Sequence, residues 1–102
     1  MIVRLEDERA RPIGDAVLDI GSPLKRLIEA VRHDDSFRLL TFVDPYQNTI
    51  FNQWQMPTLL RDLSRLKERA TTDEERQLID AVIALAQECS RQVHTYVRFR
   101  GD

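Results

Sequence analysis

One short stretch of this chain gathers Asp44, Tyr46, Asn48, Asn52, Gln53 and Gln55, with Phe51 and Trp54 interleaved. Neutral amides and phenols give directional hydrogen bonds, and Tyr and Trp supply large, stiff contact surfaces. The chemistry they point to is recognition rather than turnover. Each residue also has an ordinary reading. Asp44 and Asn48 suit a turn, where they bond their own backbone; Phe51 suits a core; Asn52 suits the entrance of a helix. Tyr46, Gln53 and Trp54 stand evenly between the two readings. A second set lies near the end, where His94, Tyr96, Arg98 and Arg100 alternate with Thr95, Val97 and Phe99. On a strand the first four share one face. Such a stripe could meet an acidic partner, a phosphate or single-stranded nucleic acid. Its ordinary reading, which is favoured, is a solvated strand face whose arginines guard a sheet edge.

Catalytic and metal-binding patterns are missing. His33 stands beside Asp34 and Asp35, but at the polar end of a helical pattern. Cys89 falls on an apolar stripe, where a thiol behaves as a small hydrophobe, and a helix-to-strand boundary separates it from His94. There is no Gly-x-Ser-x-Gly, no His-Glu-x-x-His and no phosphate-cradling loop in a chain with three glycines. Two histidines and one cysteine cannot make a standard structural zinc site without carboxylates. No catalytic residue, metal or cofactor is expected.

These residues must be held by a fold, and the patterning predicts one. Residues 2–6 and 13–20 are rich in Ile, Val and Leu and read as strands flanking the charged loop 7–12. Ser22 is placed to cap a helix that Pro23 opens, with Leu24, Leu27, Ile28 and Val31 on one stripe. Residues 37–43 have strand composition, 44–48 form a turn, and 49–54 return as a strand, giving a hairpin. Pro57 opens a second helix with Leu59, Leu60, Leu63 and Leu66 on its stripe. Thr72 and Glu75 match a capping box ahead of a third helix carrying Leu78, Ile79, Val82, Leu85, Ala86 and Cys89. Residues 94–100 form the last strand. The order β-β-α-β-β-α-α-β implies one α+β domain over 1–102: an antiparallel sheet of about five strands with helices packed on one face. The acidic run Asp73-Glu74-Glu75 suits the first turn of a helix, and Glu6-Asp7-Glu8 reads as a solvated loop.

The stretch from Phe42 to Met56 resembles a group of small uncharacterised bacterial proteins. They share an Asp-Pro-Tyr turn, here Asp44-Pro45-Tyr46, then Thr-hydrophobic-Phe-Asn, here Thr49 to Asn52, then Gln-Met leading into a Leu-rich helix, here Gln55-Met56. Their closing aromatic strand ends in Gly-Asp, as Phe99-Arg100-Gly101-Asp102 does; this chain has Gln47 where the group has Gly. The resemblance implies the hairpin–helix unit and brings no activity with it.

Composition narrows the function classes. Fifteen basic and 17 acidic residues leave a formal charge of −2, so no global field gathers nucleic acid or an anionic membrane. A single cysteine forms no internal disulfide, the first residues lack a signal-peptide pattern, and no apolar run reaches the roughly 20 residues of a membrane span. The expectation is a cytoplasmic, non-catalytic protein-binding module of the immunity or adaptor type, with another protein as partner and homodimerisation open. The alternatives are a nucleic-acid-binding accessory protein using the basic, aromatic C-terminal strand, and a small ligand-binding protein or enzyme.

Overall fold

Val3 and Leu5 point one way along the first strand, and Arg4 and Glu6 the other, which commits one face of a sheet to apolar packing and the other to polar groups. In the computed structural model, which describes residues 1–101, this strand is β1 (Ile2–Asp7). It is followed by β2 (Val17–Leu18), α1 (Pro23–Ala30), β3 (Asn48–Asn52), α2 (Met56–Glu68), α3 (Asp73–Arg91) and β4 (Thr95–Arg100). The four strands form one antiparallel sheet in the order β2-β1-β4-β3. Val3, Leu5, Phe51, Val97 and Phe99 pack beneath the helices against Leu24, Ile28, Met56, Leu59, Leu63, Ile79, Val82 and Ala86. Phe51 and Phe99 meet edge to face with ring centroids 5.8 Å apart, an arrangement worth roughly 1 kcal/mol beyond the area it buries.

The α+β class agrees with the sequence reading, but the sheet has four strands rather than about five. The strand expected over 13–20 shrinks to Val17–Leu18. The Ile13 amide still donates to the Leu5 carbonyl at 2.8 Å, then Gly14 turns at φ 69° and breaks the ladder.

The expected strand over 37–43, and with it the hairpin, does not form. Phe37, Leu40 and Val43 are buried while Phe42 is exposed, a spacing of three that suits a tight helical turn rather than alternation. Leu40–Phe42 is a 3-10 turn. Its organiser is Asp62 on α2, only 1% exposed. The Asp62 carboxylate accepts the backbone amides of Arg38 at 3.0 Å, Leu39 at 2.6 Å and Leu40 at 3.0 Å. Those amides are therefore unavailable to a sheet.

The helix boundaries follow their caps. The Thr72–Glu75 capping box forms as expected, with Glu75 donating its amide to the Thr72 hydroxyl at 3.1 Å and accepting the Thr72 amide at 3.1 Å. Ser22 does precede α1 but sits at φ 65° and caps nothing with its side chain. Asp19, buried, accepts the Leu24 and Lys25 amides at 2.8 and 2.9 Å in its place. The Glu6-Asp7-Glu8 run is no simple solvated loop: Glu6 and Asp7 lie in β1, and Glu6 is buried. At the other end Gly101 lies against the turn before β3, where a Cβ would come within 2.5 Å of the Gln47 backbone. Its amide donates to the Gln47 carbonyl at 2.9 Å, so only glycine fits this approach. Asp102 of the closing Gly-Asp pair lies outside the described residues. Among the described residues no helix is long and apolar enough to cross a membrane.

Asp62→Ala strands three backbone donors and lowers stability by about 3 kcal/mol in urea unfolding, whereas Asp62→Asn, which keeps one acceptor oxygen, loses less. Asp34 accepts the Ser36 hydroxyl and amide and pairs with Arg69. Chiefly through the Ser36 hydroxyl, these bonds hold its carboxyl down at about 2 from an ordinary 3.8. The folded-state value lies below the unfolded one, so this contribution is full above pH 4 and fades as pH falls toward about 2. Acid titrations of unfolding midpoint for native chain and Asp34→Asn should converge across that interval.

Candidate functional site

Apart from Arg98, which lies opposite Ile50 at the middle of β3, the sequence-derived site residues divide into two groups at its opposite ends. At its start is the turn. The Asp44 carboxylate accepts the Tyr46 amide at 2.8 Å, while the Asp44 amide donates to the Thr49 hydroxyl at 3.0 Å. Asp44 thus holds the turn, its ordinary role. Asn48 is exposed in β3 opposite Arg100. Tyr46 is exposed, with the Lys25 ammonium 4.5 Å from its ring centroid, a contact of the cation–π kind.

At the far end β3 runs into a 3-10 turn, Gln53–Gln55. Asn52 and Gln55 cap each other: the Asn52 side chain accepts the Gln55 amide at 3.1 Å, and the Gln55 side chain accepts the Asn52 amide at 2.9 Å. Gln53 donates its side-chain amide to the Ser90 carbonyl near the end of α3, at 3.2 Å. Both ends of the turn are therefore fixed, and between them Trp54 is held out, 88% exposed. Beside it Val93 is 72% exposed. Two shallow depressions share this pair. One, of about 310 Å³, is lined by Asn52, Gln53, Trp54, Val93, His94, Thr95 and Tyr96. The other, of about 380 Å³, is lined by Gln53, Trp54, Pro57, Ser90 and Val93. The structure thus joins Asn52, Gln53 and Trp54 to His94 and Tyr96. Four residue steps of strand, about 13 Å, separate them from the turn that carries Tyr46.

The expected stripe on the last strand is present from Tyr96 onward. His94 precedes β4, in a left-handed turn at φ 57°, so it leads into the strand rather than joining it. β4 lies between β1 and β3, so its arginines do not guard an edge. On the helix-free face the Arg98 guanidinium donates to Glu6 at 2.7 Å, and Arg4 donates to the other Glu6 oxygen. The buried Glu6 carboxylate thus sits between two arginines, leaving Arg100 as the exposed base of the strand. Sequence reasoning missed Val93 and the Glu6 pairing. Val93 had a usable signal, an apolar residue just past the end of α3; the pairing of Glu6 with Arg98 needs the β1–β4 register, which local sequence does not encode.

The buried ionisable and hydroxyl side chains are engaged within the scaffold. Asp19 caps α1, Asp62 holds the loop before β3, Glu6 meets its arginines, and the Thr95 hydroxyl donates to the Gln92 carbonyl at 2.9 Å. Among the described residues no cluster of three His, Cys, Asp or Glu side chains is placed to hold a metal ion.

Cys89 is fully buried, and burial pushes its thiol up, with the Thr95 hydroxyl acting weakly the other way. An aromatic disulfide reagent should therefore leave the native chain unlabelled for hours and label one thiol promptly in denaturant. Set beside known proteins, the chain matches no family model, no curated protein and no solved structure.

Proposed function

We propose that this chain is a non-catalytic protein-binding module, of the kind that masks or links a partner, and that it docks through the end of the sheet where Trp54 and Val93 project. The observation that carries this is Trp54, 88% exposed on a turn fixed at both ends. An indole left in water forgoes roughly 4 kcal/mol of burial, and here the backbone is organised to hold it out rather than to tuck it in. Val93 extends the apolar ground, and Asn52, Gln53, His94 and Tyr96 supply hydrogen-bonding groups along one of the two depressions. A protruding aromatic anchor with a neutral polar surround is the pattern of interface hot spots. The shallow, largely apolar depressions suit a protein surface better than a reacting small molecule.

The alternatives draw less support. A nucleic-acid role for β4 needs free cationic groups, and Glu6 already engages Arg4 and Arg98. An enzyme needs an ionisable group poised in a pocket, and the buried carboxylates Glu6, Asp19 and Asp62 are committed to the scaffold.

The sole tryptophan makes the test direct. Affinity capture from the native host should recover one stoichiometric protein, with binding at least tenfold weaker for Trp54→Ser and for Val93→Ser. In the purified complex the Trp54 emission should shift to the blue and resist acrylamide. A partner held equally well by Trp54→Ser, with emission unchanged on binding, would contradict the proposal.

A further inference from the structure

β3 is an edge strand, and among the described residues no strand pairs with its outer side. Gly101 donates to the Gln47 carbonyl, and the register pairs Thr49 with Phe99 and Phe51 with Val97. In an antiparallel ladder alternate residues turn their N–H and C=O to opposite sides. Gln47, Thr49 and Phe51 thus turn theirs toward β4, while Asn48, Ile50 and Asn52 turn theirs outward. The outward amide of Asn52 is taken by the Gln55 side chain, leaving the groups of Asn48 and Ile50 as the open rungs.

Edges of this kind are normally blunted by a lysine, a proline or a bulge within the strand. Asn48–Asn52 has none, and its exposed side chain at the centre is Ile50. Residues 45–60 carry no charged side chain, in a chain where 31% of residues are charged. The opposite edge also exposes an apolar side chain, Leu18, but it is shorter and flanked by charge. β2 has two residues and lies between Asp15 and Asp19.

We infer that β3 pairs with β3 of a second copy of this chain, antiparallel about a two-fold axis at Thr49, joining two four-stranded sheets into one. Asn48 of each copy then lies opposite Ile50 of the other, and the four open backbone groups of each find partners in four hydrogen bonds. The second copy is the occupant because of charge. A two-fold pairing sets a strand against its own sequence, so a charge in it meets the same charge nearby, and a neutral strand meets none. At Thr49 the side chains of the two copies face each other across the axis, while each hydroxyl keeps the Asp44 amide of its own chain. The interface is small, so the association is reversible and grows with concentration. It uses neither Trp54 nor Val93 and stands independently of the docking proposal.

Sedimentation equilibrium on the full chain over a concentration series tests this. The mass should rise from 12.0 kDa toward twice that value. Ile50→Pro removes an amide that β4 does not use, and Ile50→Lys supplies the missing edge charge. Each should weaken association at least tenfold while the far-ultraviolet spectrum stays native. If Ile50→Pro fails to fold, Ile50→Lys decides. Leu18→Lys on the other edge and Trp54→Ser should leave association within twofold. A mass fixed at 12.0 kDa at every concentration overturns the inference, as does self-association that survives Ile50→Lys or is lost with Trp54→Ser. An unrelated extended peptide binding this edge on a chain that stays monomeric would overturn the choice of occupant.

Discussion

A single buried carboxylate decides what β3 can do. Asp62 projects from α2 and gathers three consecutive backbone amides, those of Arg38, Leu39 and Leu40. Buried N–H groups need acceptors, and an ionised oxygen is a stronger one than a neutral carbonyl. Once these amides are turned inward, the segment cannot present a ladder to β3. It crosses the end of the core as a 3-10 turn, seating Phe37, Leu40 and Val43 inside. Among the described residues, β3 is left with β4 on one side and no strand on the other.

The remaining architecture divides labour between the faces of the sheet. One face is closed by the three helices and is apolar apart from groups with scaffold partners. The other is helix-free and carries Arg4, Glu6, Tyr96 and Arg98, tied across β1 and β4 by the Glu6 carboxylate. A buried carboxylate between two partly exposed arginines contributes less net stability than its contacts suggest, because desolvation of the carboxylate offsets the attraction. It does fix register, since a one-residue slip of β1 would carry Glu6 to the apolar side. The exposed aromatic side chains near β3 sit at its two ends: Tyr46 on the turn before it, and Trp54 beside Val93, His94 and Tyr96 after it.

Much of this was legible from residue order, and the failures have physical causes. The stripes of α1, α2 and α3 and the Thr72–Glu75 cap are local patterns, and local patterns survive folding. β4 announced itself by alternation. Residues 37–43 misled because Leu, Phe and Val favour strands by type, while their burial spacing of three answers to a partner more than 20 positions away. Ser22 had the chemistry of a cap but not the backbone angles, and Asp19 reached the same amides from further back. Among the site residues, Asp44 and Asn52 took their ordinary structural roles, and Trp54 was exposed, a distinction set by the Asn52–Gln55 cap and the Gln53–Ser90 bond. His94 fell just outside the strand because its left-handed turn reverses the chain out of α3.

Amide hydrogen exchange on dilute protein bears most directly on the claim that Asp62, rather than β3, holds the segment before the turn. The account predicts slow exchange at Leu39 and Leu40, whose N–H groups are bound to a buried carboxylate, and fast exchange at Asn48 and Ile50, whose N–H groups point away from β4. The reverse pattern, with Asn48 and Ile50 protected in the monomer and Leu39 and Leu40 exchanging freely, would mean that a fifth strand lies along β3 and would contradict it.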